Sequence, residues 1–310
     1  MGIKEVREWA AQSPNDRFFD FIAPEADRFA VLVEHIKSLG LNSVVIPVEG
    51  NRHFFIFPQG INLKFSAGDK FPFSGQSPTI LTAHYDRMPG SPGANDNSAA
   101  IFQMLRVAVK LGGFGVGGWI IIFTDKEELQ DGEGISDQGS FSLSKKIKQW
   151  GLNNANIFNF DVCGTGETFV ISTTADYLLK NQTREGLQRA RLKINGLREQ
   201  ALARARRLNL KNVLLLPMPF SDDAGFLQGG IPVQTITMLP ATEATSFASL
   251  LRVRPNFADL VIAGPISNPA DRRLVPETWR CINKPTDVPA RLTPENYETL
   301  VKFAVELCRG

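Results

Sequence analysis

Apolar residues along the chain fall into short runs that alternate with stretches of helical period. Leu41–Val48 and Arg52–Pro58 read as two strands joined across the Glu49-Gly50-Asn51 turn. Further strand-length runs follow at Pro78–Ala83, Gly118–Thr124, Asn156–Phe160, Phe169–Ser172, Val213–Leu216 and Pro232–Thr237. Helical patterns lie between them: about Asp16–Gly40, Ser98–Leu111, Gly139–Trp150, a basic stretch at about Arg184–Leu208, and Pro294–Leu307. In the first of these, Ile22, Phe29, Leu32, Val33 and Ile36 share one face, and Pro24 kinks or restarts the helix. Continuous apolar strands alternating with helices predict an α/β fold of three layers, a mostly parallel central sheet with helices on both faces.

One stretch breaks this rhythm. Residues from Pro240 to Pro276 hold five prolines and no clean period, which predicts an irregular lid, binding loop or surface insertion at about 240–276. The chain reads as a single domain spanning residues 1–310, with this stretch as a lid or insertion in it. The glycines of Gly113–Gly118 follow a helix and precede a strand, the reverse of a dinucleotide fingerprint, so they read as a helix stop and turn. Of the 22 phenylalanines, most belong to a core; Phe247 and Phe257, inside the proline-rich stretch, are candidates to line an apolar pocket.

Charge narrows the partners. The 34 Lys and Arg against 32 Asp and Glu leave a net charge of +2, which argues against nucleic acid or an anionic membrane surface. Arg184–Lys211 is rich in Arg, but Leu and Ala interleave at helical spacing as on a solvated helix face. No apolar run approaches the roughly 20 residues that span a bilayer. Cys163, Cys281 and Cys308 are too widely spaced for a C-x-x-C pair and read as buried thiols. Charges stand at the N-terminus where a signal peptide needs its apolar core, so a cytoplasmic location is expected and the Asn181-Gln-Thr183 sequon is discounted.

The candidate chemistry sits at strand ends. Pro78–Ala83 runs into His84-Tyr-Asp86, Gly118–Thr124 into Asp125-Lys-Glu127-Glu128, and Asn156–Phe160 into Asp161. Open α/β sheets form their ligand crevice at such carboxyl ends. A turn-rich loop, Ser91–Ser98, adds Asp96. Singly, His84 could be a core histidine, Asp96 a helix N-cap, Glu127-Glu128 a solvated turn and Asp161 a turn cap. Together they make one imidazole and several carboxylates, a set too anionic to stay unpaired, for which a divalent cation is the natural compensation. Asp96 is placed to bridge two cations, and Asp86 to orient the His84 ring. Glu128 is a candidate ligand, with Glu127 as general base toward metal-activated water.

Ala83-His-Tyr-Asp86, Gly93-Ala-Asn-Asp-Asn-Ser98, Phe123-Thr-Asp-Lys-Glu-Glu128 and Asn159-Phe-Asp161 resemble, in order and spacing, metallopeptidase family twenty-eight. These are co-catalytic zinc aminopeptidases of the aminopeptidase Y and bacterial leucyl-aminopeptidase kind. Ser221-Asp222 through Phe226, then Gly230-Ile-Pro232, is similar to a later segment of that family, and the resemblance covers roughly residues 15–310. It implies one zinc on His84, Asp96 and Asp161, a second on Asp96, Glu128 and a final His, and hydrolysis of an N-terminal residue from a peptide or small amide. The sequence departs twice. The late H-[TS]-x-x-D segment reads Asn283-Lys-Pro-Thr-Asp287, with no histidine after His84, and S-D-H reads Ser221-Asp222-Asp223. Asp222 and Asp223 thus become substrate-facing or supporting candidates. An amide oxygen at Asn283 is a poorer zinc ligand than imidazole, so the Glu128/Asn283 position is expected to be weak, empty or filled by a harder divalent cation. Two other readings stand beside the aminopeptidase: a non-catalytic or altered-metal relative that binds a peptide or partner, and a glutaminyl-cyclase-like acyltransferase. The last uses one zinc held by Asp, Glu and His and carries a W-H-T segment that this chain lacks. The oligomeric state stays open.

Overall fold

The computed structural model describes residues 17–61, 77–180, 185–264 and 266–309. Asp16, the Asn181–Thr183 sequon, Arg184 and Pro265 lie outside them. Eight strands form one sheet: β1 (Asn42–Val48), β2 (Asn51–Phe57), β3 (Thr79–His84), β4 (Trp119–Thr124), β5 (Asn156–Phe160), β6 (Thr168–Ser172), β7 (Val213–Leu216) and β8 (Gln234–Leu239). Their spatial order is β1-β2-β4-β3-β5-β8-β6-β7. The middle four, β4, β3, β5 and β8, are mutually parallel, whereas β2 and β6 join them antiparallel. The sheet is therefore mixed: the expected parallel arrangement holds for these four strands, three of which lead into the candidate site, and again for the edge pair β6–β7.

The helices are α1 (Phe18–Ile22), α2 (Arg28–Ser38), α3 (Ala99–Gly113), α4 (Gly139–Gln149), α5 (Thr174–Leu179), α6 (Glu185–Arg207) and α7 (Asp222–Gln228), then α8 (Ala241–Val253), α9 (Phe257–Ala263), α10 (Pro269–Arg272), α11 (Glu277–Arg280) and α12 (Asn296–Cys308). Side chains alternate across a strand, so each central strand feeds two cores. Trp119, Ile121 and Phe123 of β4 face the cluster built with α1, α2, α3 and α12. Ile120 and Ile122 face the opposite cluster, which contains Leu143 and Ile147 of α4 and Phe226 of α7. This two-sided burial is what the unbroken apolar run Trp119–Phe123 required.

Four details bear on the sequence reading. Pro24 separates α1 from α2, and Leu32 and Ile36 are buried, but Val33 is 40% exposed and leaves the shared face. Gly113 ends α3, Gly115 and Gly118 take positive φ (64° and 71°), and β4 begins, as a helix stop and turn demands. The 240–276 stretch is not irregular: it holds α8, α9 and α10. Pro240 precedes α8, Pro269 opens α10 and Pro276 precedes α11, positions where the missing N–H costs nothing, so these prolines start helices. Phe247 and Phe257 are each 1% exposed and pack in a third cluster with Trp279 rather than lining a pocket. Helices α5 and α7 are too short to show a period. The three thiols are free and buried. Among the described residues no helix is long and apolar enough to cross a membrane.

Candidate metal centre

Strand β3 ends on His84, whose register partner on β4 is Thr124; β5, on the other side of β3, is followed by Asp161. Three parallel neighbours thus release their chains at one edge. His84 is 1% exposed, and its Nε2 lies 3.1 Å from Asp96 Oδ1 and 3.4 Å from Asp161 Oδ1. On the other side of the ring, Nδ1 is 3.4 Å from Asp86 Oδ1. Asp86 also accepts the backbone N–H of Glu127 (3.2 Å) and of Glu128 (2.9 Å). Its carboxylate therefore locks the end of β3 to the turn after β4, in an orienting position that faces the imidazole.

Asp96 is not a helix N-cap: Ser98 occupies that place before α3, and the Asp96 carboxylate turns to His84. The loop is fixed by its asparagines. Asn95 Oδ1 accepts the Gly164 N–H (2.6 Å), and Asn97 donates to the Phe160 carbonyl (2.8 Å) and accepts from the Val162 N–H (3.3 Å). Gly93 is required at its φ of 60°, since a Cβ there would sit 2.6 Å from the Asp96 carbonyl oxygen. From below, the two Asp287 oxygens accept the N–H groups of Asn95 (2.9 Å) and Asp96 (3.0 Å).

Glu128 Oε2 accepts a hydrogen bond from Asn283 Nδ2 at 2.6 Å, so the segment Asn283–Asp287 touches both Glu128 and the Asp96 loop. His84, Asp96 and Glu128 present donor atoms all within 4.8 Å of one another, the one such acidic or imidazole group found among the described residues. The Asp161 carboxylate reaches this group through His84 Nε2, so the trio that meets includes Glu128 where the resemblance grouped Asp161 with His84 and Asp96. Glu127 Oε1 accepts from Gln138 Nε2 (3.3 Å), which also reaches the Glu127 carbonyl. Lys126, Val162 and Asn283, next to or within the site, adopt positive φ of 57°, 54° and 59°. Asn tolerates this conformation; for β-branched Val162 it costs energy that the surrounding packing must offset.

Asp222 and Asp223 head α7 and are buried. Asp222 Oδ2 accepts from Thr124 Oγ1, tying α7 to the end of β4, while Asp223 Oδ1 accepts the Ser221 N–H (3.2 Å). Neither lines the cleft. That cleft has a volume of about 240 Å³, with Asp96, Glu127, Glu128, Asp161 and Asn283 on one side and Leu129, Met218, Phe220 and Ile282 giving it an apolar wall. Asp287 and Gln138 were not legible as site residues; the only hint of the first was its place four residues after Asn283.

Burial and mutual repulsion set the electrostatics. Burial, then its carboxylate neighbours, push Glu127 well above the usual carboxylate range and Glu128 to about 9. Burial lifts Asp222 to about 6, and Asp223 and Asp287 to about 7. Burial alone would lower His84, but its contacts with Asp161, Asp86 and Asp96 carry it well above its ordinary value. Burial would likewise raise Asp86, and His84 with the two backbone N–H groups more than reverses this. Among the described residues, Asp96 Oδ2, Glu128 Oε1 and Asp161 Oδ1 are buried without a hydrogen-bond partner. Three orphaned carboxylate oxygens around one imidazole are costly unless a cation joins them, and hard oxygen donors with one imidazole fit a divalent ion such as Zn²⁺ or Mn²⁺.

Comparisons with known proteins agree with this fold. A leucine aminopeptidase precursor from Bacteroides thetaiotaomicron is similar over 99% of this chain and 96% of its own, at 12% identity and a TM-score of 0.62. A glutaminyl cyclase from the same organism, solved with N-acetylhistamine, is similar over 99% and 97%, at 12% identity and a TM-score of 0.61. A zinc aminopeptidase from Bacillus subtilis matches 83% of this chain at 19% identity and a TM-score of 0.50; the chain spans 48% of that protein's length. No curated protein matches the sequence. The family model described as Peptidase family M28 matches residues 69–258, a span that holds His84, Asp86, Asp96, Glu127, Glu128, Asp161, Asp222 and Asp223 but not Asn283. The chain belongs to peptidase family M28.

Proposed function

We propose that the protein is a metal-dependent aminopeptidase that hydrolyses the N-terminal residue from a peptide or small amide. The observation that carries this reading is the Glu127 carboxylate, raised well above its usual range and lining one cleft together with Asp96, Glu128 and Asp161, behind which His84 meets Asp96 and Asp161. His84, Asp96, Glu128 and Asp161 would hold the ion. A bound divalent cation supplies Lewis acidity, polarising a carbonyl and making water acidic near neutral pH. Glu127 takes a proton from the attacking water and returns it to the leaving amine, a role suited to a carboxyl whose burial raises its proton affinity. Gln138 and the two backbone N–H contacts of Asp86 hold that carboxylate and its turn in place. The apolar wall of Leu129, Met218, Phe220 and Ile282 favours an uncharged side chain at the cleaved end.

The proposal includes an asymmetric pair of positions. The one built on His84, Asp96 and Asp161 is tight; the one beside Glu128 and Asn283 is weak, because a neutral amide replaces an imidazole. The test is release of an aminoacyl chromogenic amide. Activity should vanish with a chelator and return with added Zn²⁺ or Mn²⁺, and Glu127→Gln should lower kcat at least about 100-fold while keeping bound metal. Hydrolysis that survives both treatments would refute the reading. Ammonia release from an N-terminal glutaminyl peptide, without amide hydrolysis, would identify a cyclase instead.

A further inference from the structure

Arg28 stands at the first residue of α2, far in sequence from the acidic strand ends, yet it is 6% exposed. A cation at a helix N-terminus opposes the helix dipole, and burying it adds a desolvation cost, so local structure gives no reason for it. Its hydrogen bonds do. Nη1 donates to the carbonyls of Tyr85 (3.1 Å) and Asp86 (3.0 Å), directly after His84. Nη2 donates to the carbonyls of Pro92 (2.9 Å) and Gly93 (3.2 Å) and to Ser98 Oγ (2.9 Å), which flank Asp96 on both sides. Ser98 Oγ in turn donates to the Gly93 carbonyl. Among the described residues, every hydrogen-bond acceptor of Arg28 thus lies between residues 85 and 98, in the two segments that present His84 and Asp96.

The surroundings are shaped for this group. A Cβ on Gly93 would come within 2.7 Å of Arg28 Nη2, and the guanidinium carbon lies 4.5 Å over the Phe21 ring. The four N–H groups on its two Nη atoms, held in a rigid fork, are shared among five acceptors on two segments, with Nε left without a partner; an ammonium has three donors and no fixed plane.

We propose that Arg28 is a positioning residue for the metal centre: it clamps the end of β3 to the Asp96 loop and so sets the spacing between His84 and Asp96. The proposal rests on the metal-dependent reading given above. The residue touches neither substrate nor ion, and it acts by preorganising two ligands, as outer-shell partners of metal sites do.

The test is Co²⁺ titration followed by visible absorption, with hydrogen exchange at the Asn95 and Asp96 amides measured in parallel. Arg28→Gln should weaken Co²⁺ binding roughly 10- to 100-fold and speed exchange at both amides. Arg28→Lys should recover only part of the affinity. Ile194→Ala, a buried change in another cluster, is the control: it should lower the thermal midpoint while keeping the affinity of the unaltered protein. If Arg28→Gln fails to fold, Ser98→Ala removes one acceptor and should weaken binding several-fold. Unchanged Co²⁺ affinity in the Arg28 variants, or in Ser98→Ala when it stands in for them, overturns the proposal. So does an equal loss in Ile194→Ala. An unaltered protein that binds no Co²⁺ overturns the metal reading and this proposal with it, whereas normal binding by the unaltered protein alongside unaffected variants sinks the clamp alone.

Discussion

Raising the pH of chelator-treated protein from 7 to 9 is expected to weaken the fold, and Glu128 is the group through which the effect can be isolated. Its Oε1 is buried without a partner, its Oε2 has only the Asn283 amide, and burial with the nearby Asp96 charge pushes the carboxyl to about 9. In the unfolded chain the same group titrates near 4.5. The sign follows. A carboxyl raised on folding contributes stability in its protonated form, and that contribution is lost as pH climbs through the folded-state value. The proton is almost fully held at pH 7 and half held at pH 9, so at roughly 1.4 kcal/mol per pH unit the loss across this window is about 2 kcal/mol. Glu127 and His84 are raised too and act in the same direction, so the comparison must be with Glu128→Gln. Urea unfolding followed by tryptophan fluorescence at pH 7, 8 and 9 in chelator gives both curves. Glu128→Gln should lose about 2 kcal/mol less than the unaltered protein over the window, and saturating Mn²⁺ should abolish the decline by taking the place of the proton. Parallel curves for the two proteins, or chelated protein that gains stability toward pH 9, would refute the reasoning.

Three further outcomes are expected. His35 is fully buried with neither ring nitrogen partnered, stacked 5.2 Å from Phe102, and burial lowers it to about 4. A neutral buried His loses stability as pH falls from its ordinary 6.5 to about 4, so the unaltered protein should lose about 3 kcal/mol more than His35→Leu over that range; equal losses in urea unfolding would exclude it. A Cβ on Gly139 would lie 1.9 Å from the Asp125 carbonyl oxygen, against backbone that cannot yield cheaply, so Gly139→Ala should cost about 1–3 kcal/mol and displace the turn bearing Glu127; an unchanged thermal midpoint would contradict this. Asn283→His places an imidazole beside Glu128 and should raise tightly held divalent metal from one ion per chain toward two, read by elemental analysis after desalting; an unchanged count would count against the asymmetric pair.

The sheet was legible because burial on both faces forces continuous apolar runs, and β3, β4 and β5 fell within a residue or two of those runs. His84 and Asp161 were legible as the polar residues on which such runs stop, and Glu128 as part of the acidic turn that follows β4. Contacts between distant segments were not. Arg28 meets residues 57 to 70 positions away, and Asp287 holds amides nearly 200 positions earlier, with no local pattern to betray either. Helices α8, α9 and α10 were hidden because proline reads as a breaker unless its place in the first turn is known. Asp223 was named by analogy with a sequence segment as substrate-facing or supporting, and its Oδ1 accepts the Ser221 N–H.

A divalent ion shared by residues from three strand ends and one loop is the centre of the proposed chemistry. An anomalous-scattering map from crystals grown with Zn²⁺ tests it most directly. The expected result is a peak within ligand distance (about 2.0–2.2 Å) of His84 Nε2 and of carboxylate oxygens from Asp96 and from Asp161 or Glu128. A saturated crystal with no peak among these side chains, or with zinc bound only elsewhere, would contradict it.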